Sequence, residues 1–256
     1  MEEEESKKGP SFIIILLVGL AAGSVAYWKF FRTSPPPAPE AVAPAATQAP
    51  AQPAQNAAAP PLNSALGEEL LRAKAHSLGA DPRLSDWLKN ENIIRRIAVA
   101  TAIIADGKNP KDSLAFLKPS KPFAAVAKNG KLYIDPKSYA RYDPTADVIA
   151  SLSAEAAVKI FRELRPLFQE AYDELGEPSR DFQDVLGKAI GGLLQVPANQ
   201  GDIQLKEKVV SYAMADEKLE KMSSAQKHLL RMGPRNIAKI QDKLREISRA
   251  LAAPAK

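Results

Sequence analysis

The sequence has no cysteine and only two histidines, His76 and His228, in 256 residues. Lack of cysteine excludes disulfides, cysteine nucleophiles, iron–sulfur clusters and zinc–thiolate sites. Two histidines leave few routes to other metal or triad chemistry, and neither has a carboxylate or a second histidine at ligand spacing. Both therefore read as structural or surface groups. The sequence also lacks GxGxxG, HExxH, GxSxG and the phosphate-loop motif, so the familiar dinucleotide, zinc-protease, serine-hydrolase and nucleotide routes have no local signature. No cofactor and no metal is expected. A carboxylate pair working as general acid and base needs no motif, but the acids are too numerous for any two to stand out.

Charge is missing in one place above all. Twenty consecutive uncharged residues separate Lys8 from Lys29, and Ser11 to Trp28 forms an 18-residue apolar run. At about 1.5 Å per residue such a helix comes close to the roughly 30 Å hydrocarbon core of a bilayer. Phe12, Tyr27, Trp28, Phe30 and Phe31 suit the two interfaces, and Lys7, Lys8, Lys29 and Arg32 can reach the headgroups. The competing reading is a cleaved secretory signal, with Ser24-Val25-Ala26 as its small-residue cut site. Four glutamates in the first eight residues are unlike a signal's basic start, and apolarity continues past the cut. A buried core helix fits less well still, because a proline tract with nothing to pack on follows. Lys and Arg are balanced across the span, so they do not orient it. A stub of about ten residues before a long carboxy-terminal domain is the layout of a signal anchor, which puts the amino terminus in the cytoplasm and the domain in the periplasm. Gly19 and Gly23 form a GxxxG strip, extended by Ala22 and Ala26, through which two spans could pack as a homodimer.

Between Thr33 and Pro61 there are nine prolines and eleven alanines in 29 residues, and Glu40 is the only charge. Such a segment buries too little apolar surface to offset its ordering entropy and reads as a disordered tether. Polyproline II geometry gives it a reach of at most roughly 90 Å, at about 3.1 Å per residue. The expected organisation is a cytoplasmic stub at 1–10, a transmembrane helix at 11–31, a Pro/Ala-rich linker at 32–61 and a soluble domain at 62–253.

From Leu62 onward 25 acids face 31 bases, the remainder after five acids and four bases are taken from the whole-chain totals of 30 and 35. Pairs such as Glu163/Arg165 and Glu217/Lys218 interleave the two signs, as on a solvated helical surface, which argues against a nucleic-acid partner. The patterning predicts a mainly helical domain with a small β element. Ser64 opens a helix that runs through Leu70, Leu71 and Leu78 to Gly79, and Asp81-Pro82 opens a short one. Asn92 to Asp106 carries a wide apolar face and stops at Gly107. Asn129-Gly130 between two apolar runs predicts a hairpin with a type I′ turn. Asp135-Pro136 and Asp143-Pro144 repeat the cap-plus-proline start on either side of Tyr139, Arg141 and Tyr142. Ser153 begins the longest helix, with Leu175 on its inward face, Gly176 as its stop and Pro166 expected to kink it. Further helices are expected at Ser179 to Gln195, from the capping box Ser223/Gln226 to Gly233, and from Pro234 to Leu251, with an extended segment from Ile203 to Tyr212.

Two polar clusters are candidate binding groups. Tyr139, Arg141 and Tyr142 follow the hairpin and could hold a ligand by stacking and hydrogen bonding, with core packing and an Arg141 to Asp135 or Asp143 pair as the competing reading. Arg231 stands at a helix end beside the next helix start, where free N–H groups favour an anion; the competing role is to satisfy terminal carbonyls. No residue qualifies as catalytic.

The segments Leu132 to Asp143, Leu167 to Gly176 and Ala225 to Asn236 resemble a bacterial family of domains of unknown function. Its members typically combine one membrane span, a proline-rich tether and a helical envelope domain, and the likeness runs from about Trp87 to Leu251. Where the family pattern is Tyr-x-Phe-Ala-Asp, this chain has Tyr212-Ala-Met-Ala-Asp216. The resemblance implies architecture and an inner-membrane location, but no activity. The functional expectation is a membrane-anchored envelope protein whose helical domain is a non-catalytic interaction or scaffolding module for an envelope protein partner. The alternative is a periplasmic ligand-binding domain or enzyme acting on envelope glycan or peptide through the Tyr139/Arg141/Tyr142 loop.

Overall fold

A computed structural model describes residues 64–254 apart from 177–179, 199–200 and 209–210. All of these belong to the second of two compact units, Ala59–Lys256. The expected stub, membrane span with Gly19 and Gly23, and linker lie outside the described residues. No helix among the described residues is long and apolar enough to cross a membrane.

Eleven helices and one four-stranded antiparallel sheet make up the described domain. The helices are α1 (Ser64–Ala73), α2 (Ala75–Leu78), α3 (Pro82–Leu88), α4 (Ile93–Ala105), α5 (Pro136–Ala140), α6 (Asp143–Ser151), α7 (Ala154–Asp173), α8 (Phe182–Leu194), α9 (Glu217–Glu220), α10 (Ser224–Leu230) and α11 (Pro234–Ala252). The strands, in the spatial order β1-β2-β3-β4, are Ala125–Lys128, Lys131–Ile134, Gln204–Glu207 and Tyr212–Met214.

Local chemistry accounts for most helix starts. The carboxylates of Asp81, Asp135, Asp181 and Asp216 each accept the N–H two residues on, and Ser153 accepts that of Ala156. Ser223 and Gln226 close a complete capping box. At the hairpin tip Asn129 (φ 50°) and Gly130 (φ 71°) take the left-handed conformations of the expected type I′ turn.

Two apolar clusters hold these elements. One lies among α1 to α4, α7 and α8, where Phe161, Phe168, Tyr172 and Phe182 pack ring on ring and Leu164 is fully buried. The other packs Ile134, Leu205 and Met214 of the sheet against Leu229 and Leu230 of α10 and Ile237 and Ile240 of α11. α11 connects them by packing on α6, α7 and α8.

Several expectations need correction. The extended segment Ile203 to Tyr212 is two strands with a turn, and β3 pairs with β2 to complete the sheet. The first helix is interrupted at Lys74, whose backbone (φ −90°, ψ 5°) leaves the helical range. Leu175 is 41% exposed rather than inward, because α7 ends at Asp173 and the chain turns away. The helix expected from Ser179 starts at Phe182, with Asp181 as its cap; Ser179 lies outside the described residues. Asp143 is not a cap either. Tyr142 holds that position, and the Asp143 carboxylate is drawn to Arg235 and Asn236. α7 continues on both sides of Pro166.

Gly233, between α10 and α11, has φ 83° and ψ 161°, a combination essentially reserved for glycine. A Cβ there would also stand 2.4 Å from Cγ of Tyr139. Strain and overlap together predict that Gly233→Ala destabilises the fold by about 3 kcal/mol. Chemical denaturation would show this as a lowered midpoint with an unchanged slope.

Candidate functional site

The two sequence clusters meet in space. The Tyr139 to Asp143 segment spans the end of α5 and the start of α6, and the Arg231 to Asn236 segment spans the junction of α10 and α11. The Tyr139 ring lies against Gly233, where a side chain would collide with it. Asn236, 1% exposed in the first turn of α11, directs its Nδ2 at the carbonyl of Tyr139 (3.1 Å), Oδ1 of Asp143 (2.9 Å) and the carbonyl of Met232 (3.0 Å). Its own Oδ1 is buried and has no hydrogen-bond partner among the described residues. Arg235 forms an ion pair with Asp143, which is also a first-turn residue of α6 and so favoured by the helix dipole. The Arg235 hydrogen bond is the main cause holding the Asp143 carboxyl below the usual carboxylate range; burial opposes it and Asn236 adds to it.

His228 of α10 sits one helical turn before Met232. Its ring meets Tyr142 edge-on at 5.7 Å, and Nδ1 lies 3.3 Å from Nδ2 of Asn109. Burial, then the positive charges of Arg231 and Arg141, push its pKa below the ordinary histidine value. The site thus keeps a neutral imidazole beside two guanidinium groups.

The four candidate binding residues take different places around this histidine. Tyr142 is buried. Arg141 donates to the carbonyls of Ser138 (2.9 Å) and Lys121 (2.8 Å), and its guanidinium covers the rings of Tyr142 at 5.1 Å and Phe123 at 5.8 Å. It pairs with neither Asp135 nor Asp143. Arg231 donates to the carbonyl of Lys227 in the last turn of its own helix (3.3 Å). Tyr139, half-buried, has its hydroxyl pKa raised mainly by desolvation. All four therefore contact or flank one junction, and their polar atoms are largely turned to backbone carbonyls and aromatic rings.

Cavities lie elsewhere in the domain. One of about 330 Å³ is almost wholly apolar, lined by residues including Leu84, Trp87, Phe116, Phe161 and Leu251. A cleft of about 940 Å³ runs between α7 and the end of α11, edged by Lys159, Arg162, Glu246 and Arg249. None of Tyr139, Arg141, Tyr142 and Arg231 lines either one.

Sequence reasoning missed His228, Asn236 and Asn109 as members of this cluster. A signal for Asn236 was available: an asparagine in the turn after Gly-Pro, where a small amide can reach both its own helix end and the neighbouring chain. His228 and Asn109 are 119 residues apart and share no local pattern.

Two outcomes follow from this geometry. Asn236→Ala removes an amide whose two protons are shared among three acceptors and leaves buried carbonyls and Asp143 short of a partner, so it should destabilise by about 3 kcal/mol in equilibrium unfolding. The pH dependence has a definite sign. His228 binds its proton more weakly folded than unfolded, so its contribution is complete above about pH 6.5 and declines as pH falls below that value. Asp143 acts in the same sense in the carboxylate range. His228→Phe should flatten the fall in stability that sets in below about pH 6.5 while leaving the carboxylate limb; urea midpoints against pH would read this out.

No curated protein and no solved structure matches the chain. A family model described as a protein of unknown function, DUF3014, matches residues 93–248, a stretch that contains both segments of the junction. The chain accordingly belongs to the DUF3014 family.

Proposed function

We propose that this is a single-pass inner-membrane protein, amino terminus cytoplasmic, whose periplasmic helical domain is a non-catalytic interaction or scaffolding module for an envelope protein partner. The observation that carries the reading is the state of the junction. Its chemically capable groups are engaged with each other: Arg141 on carbonyls and rings, Asp143 with Arg235 and Asn236, and Tyr142 against His228. Groups committed in this way stabilise a shape, which is what a scaffold requires. The ligand-binding or enzymatic alternative depends on Tyr139, Arg141 and Tyr142 facing a cleft, and they line neither of the two cavities described above nor a third of about 400 Å³ edged by Asp202, Gln204 and Asp216. The anchor and orientation rest on the apolar run, the acidic stub and the proline-rich segment of the sequence.

Two measurements test this. A reporter active only in the periplasm, fused after Lys256, should be active; activity of a cytoplasm-only reporter in its place overturns the orientation. Photo-crosslinking side chains placed one at a time at exposed positions such as Leu66, Leu175 and Tyr212 should give discrete heteromeric adducts from at least one face in intact membranes. Monomer at every position would remove the scaffold reading.

A further inference from the structure

The net charge of the soluble part is not spread over it. Between Gly107 and Tyr142 there are eight Lys or Arg and two Asp, a net +6. Leu62 onward carries 31 bases and 25 acids, also +6, so everything outside this stretch balances at 23 of each. Lys108, Lys111, Lys118, Lys121, Lys131 and Lys137 are all exposed, and among the described residues none of them has a carboxylate partner.

The middle of the stretch is the β1–β2 hairpin, and its register gives the charge a face. Ala125, Ala127, Leu132, Ile134, Leu205 and Met214 share the side of the sheet that meets the second core cluster. Alternation puts Lys128, Lys131, Tyr133 and Lys206 on the other. Lys128 and Lys131 stand directly opposite each other, a like-charge pairing that costs a sheet stability. Asp202 offsets part of this by bonding Lys128 at 2.6 Å, whose ammonium also lies 5.8 Å from the Tyr133 ring. Among the described residues Lys131 and Lys206 have no such relief. The result is an exposed basic sheet face with an amphipathic tyrosine among its lysines.

We infer that this face docks on an anionic lipid bilayer, so that the domain lies against the membrane instead of standing off it. The inference rests on the proposed membrane anchor: a tether reaching at most roughly 90 Å keeps the face within range of the surface, and an effective concentration set by the tether makes weak, purely electrostatic contacts sufficient. Exposed lysines on one sheet face suit a layer of anionic headgroups, which needs charge without fixed geometry. A nucleic acid would call for stacking platforms or groove-reading side chains, and the outer face has a single aromatic residue.

The absence of cysteine makes the test direct. Full-length chain carrying Val126→Cys, on the outer face directly opposite Tyr133, is labelled with a fluorophore and reconstituted in nanodiscs of neutral or anionic lipid that contain spin-labelled quencher lipids. Quenching should be several-fold stronger in anionic discs and should fade as salt shortens the Debye length to about 3 Å. Lys128→Gln/Lys131→Gln/Lys206→Gln should bring it to the neutral level and weaken binding to anionic vesicles by roughly 100-fold. Equal quenching in both lipids, or a folded triple variant that behaves as the parent, overturns the docking face. So does retention of an oligonucleotide at the salt concentration that releases lipid. Alkaline carbonate extraction reads the anchor separately. A chain that is extracted yet still binds anionic vesicles through these lysines upholds the face and sinks the anchor; one that is extracted and does not bind sinks both.

Discussion

The organisation of this domain depends on a buried polar joint. Asn236 lies in the first turn of α11 and offers its amide to two backbone carbonyls and to Asp143, so one side chain fixes how α5, α6, α10 and α11 meet. Gly233 makes the approach feasible by leaving room for the Tyr139 ring. Unlike apolar packing, a hydrogen-bonded joint has one correct geometry, because a shift of an ångström leaves buried donors and acceptors unpaired. The two core clusters, which would tolerate several relative arrangements on hydrophobic grounds alone, are thereby held in one. Among the described residues Oδ1 of Asn236 has no partner, so the donors of its amide carry the joint.

Around the joint, charge is arranged by environment. Asp143 is kept ionised by Arg235 and a helix start, while His228 is kept neutral by burial and two arginines a few residues away in space. Those arginines put their donors on backbone carbonyls. Each guanidinium thus closes chain ends that would otherwise be left open, and the imidazole avoids a third positive charge in the same volume. Membership in DUF3014 places this arrangement within the matched part of the chain, whereas α1 to α3 precede it.

Much of the fold was legible in local chemistry. Asp-Pro at 81 and 135, the Ser223/Gln226 box and Asn129-Gly130 are signals whose physics acts within four residues, and each stands where it was expected. The same logic failed at Asp143, where an identical Asp-Pro pair sits beside an arginine and an asparagine more than ninety residues distant that take the carboxylate. It was partial at β3 and β4: an extended segment was expected from Ile203 to Tyr212, but its division by a turn and its pairing with β2 depend on tertiary contact. The candidate site was half visible: Tyr139, Arg141, Tyr142 and Arg231 do lie about one junction, but the histidine and two asparagines that complete it are joined only by tertiary contact. Interleaved acids and bases across the domain also hid the fact that one stretch carries the whole imbalance.

The way α1 to α3 are fastened has a mechanical consequence. A load applied to α1 meets its fastenings in order. The first are Leu71 in the core, the close approach of Gly67 to Leu167, and Arg72 Nε on the carbonyl of Leu88. The next attachment is a short backbone seam, where Ser153 N–H donates to the carbonyl of Leu78 and Gly79 bridges Leu152. These fastenings lie in series ahead of Asn236, so load would peel α1 and then open the seam before reaching the polar joint. The contacts that fasten α1 to α3 are thus separate from the polar joint, and loosening the first need not disturb the second.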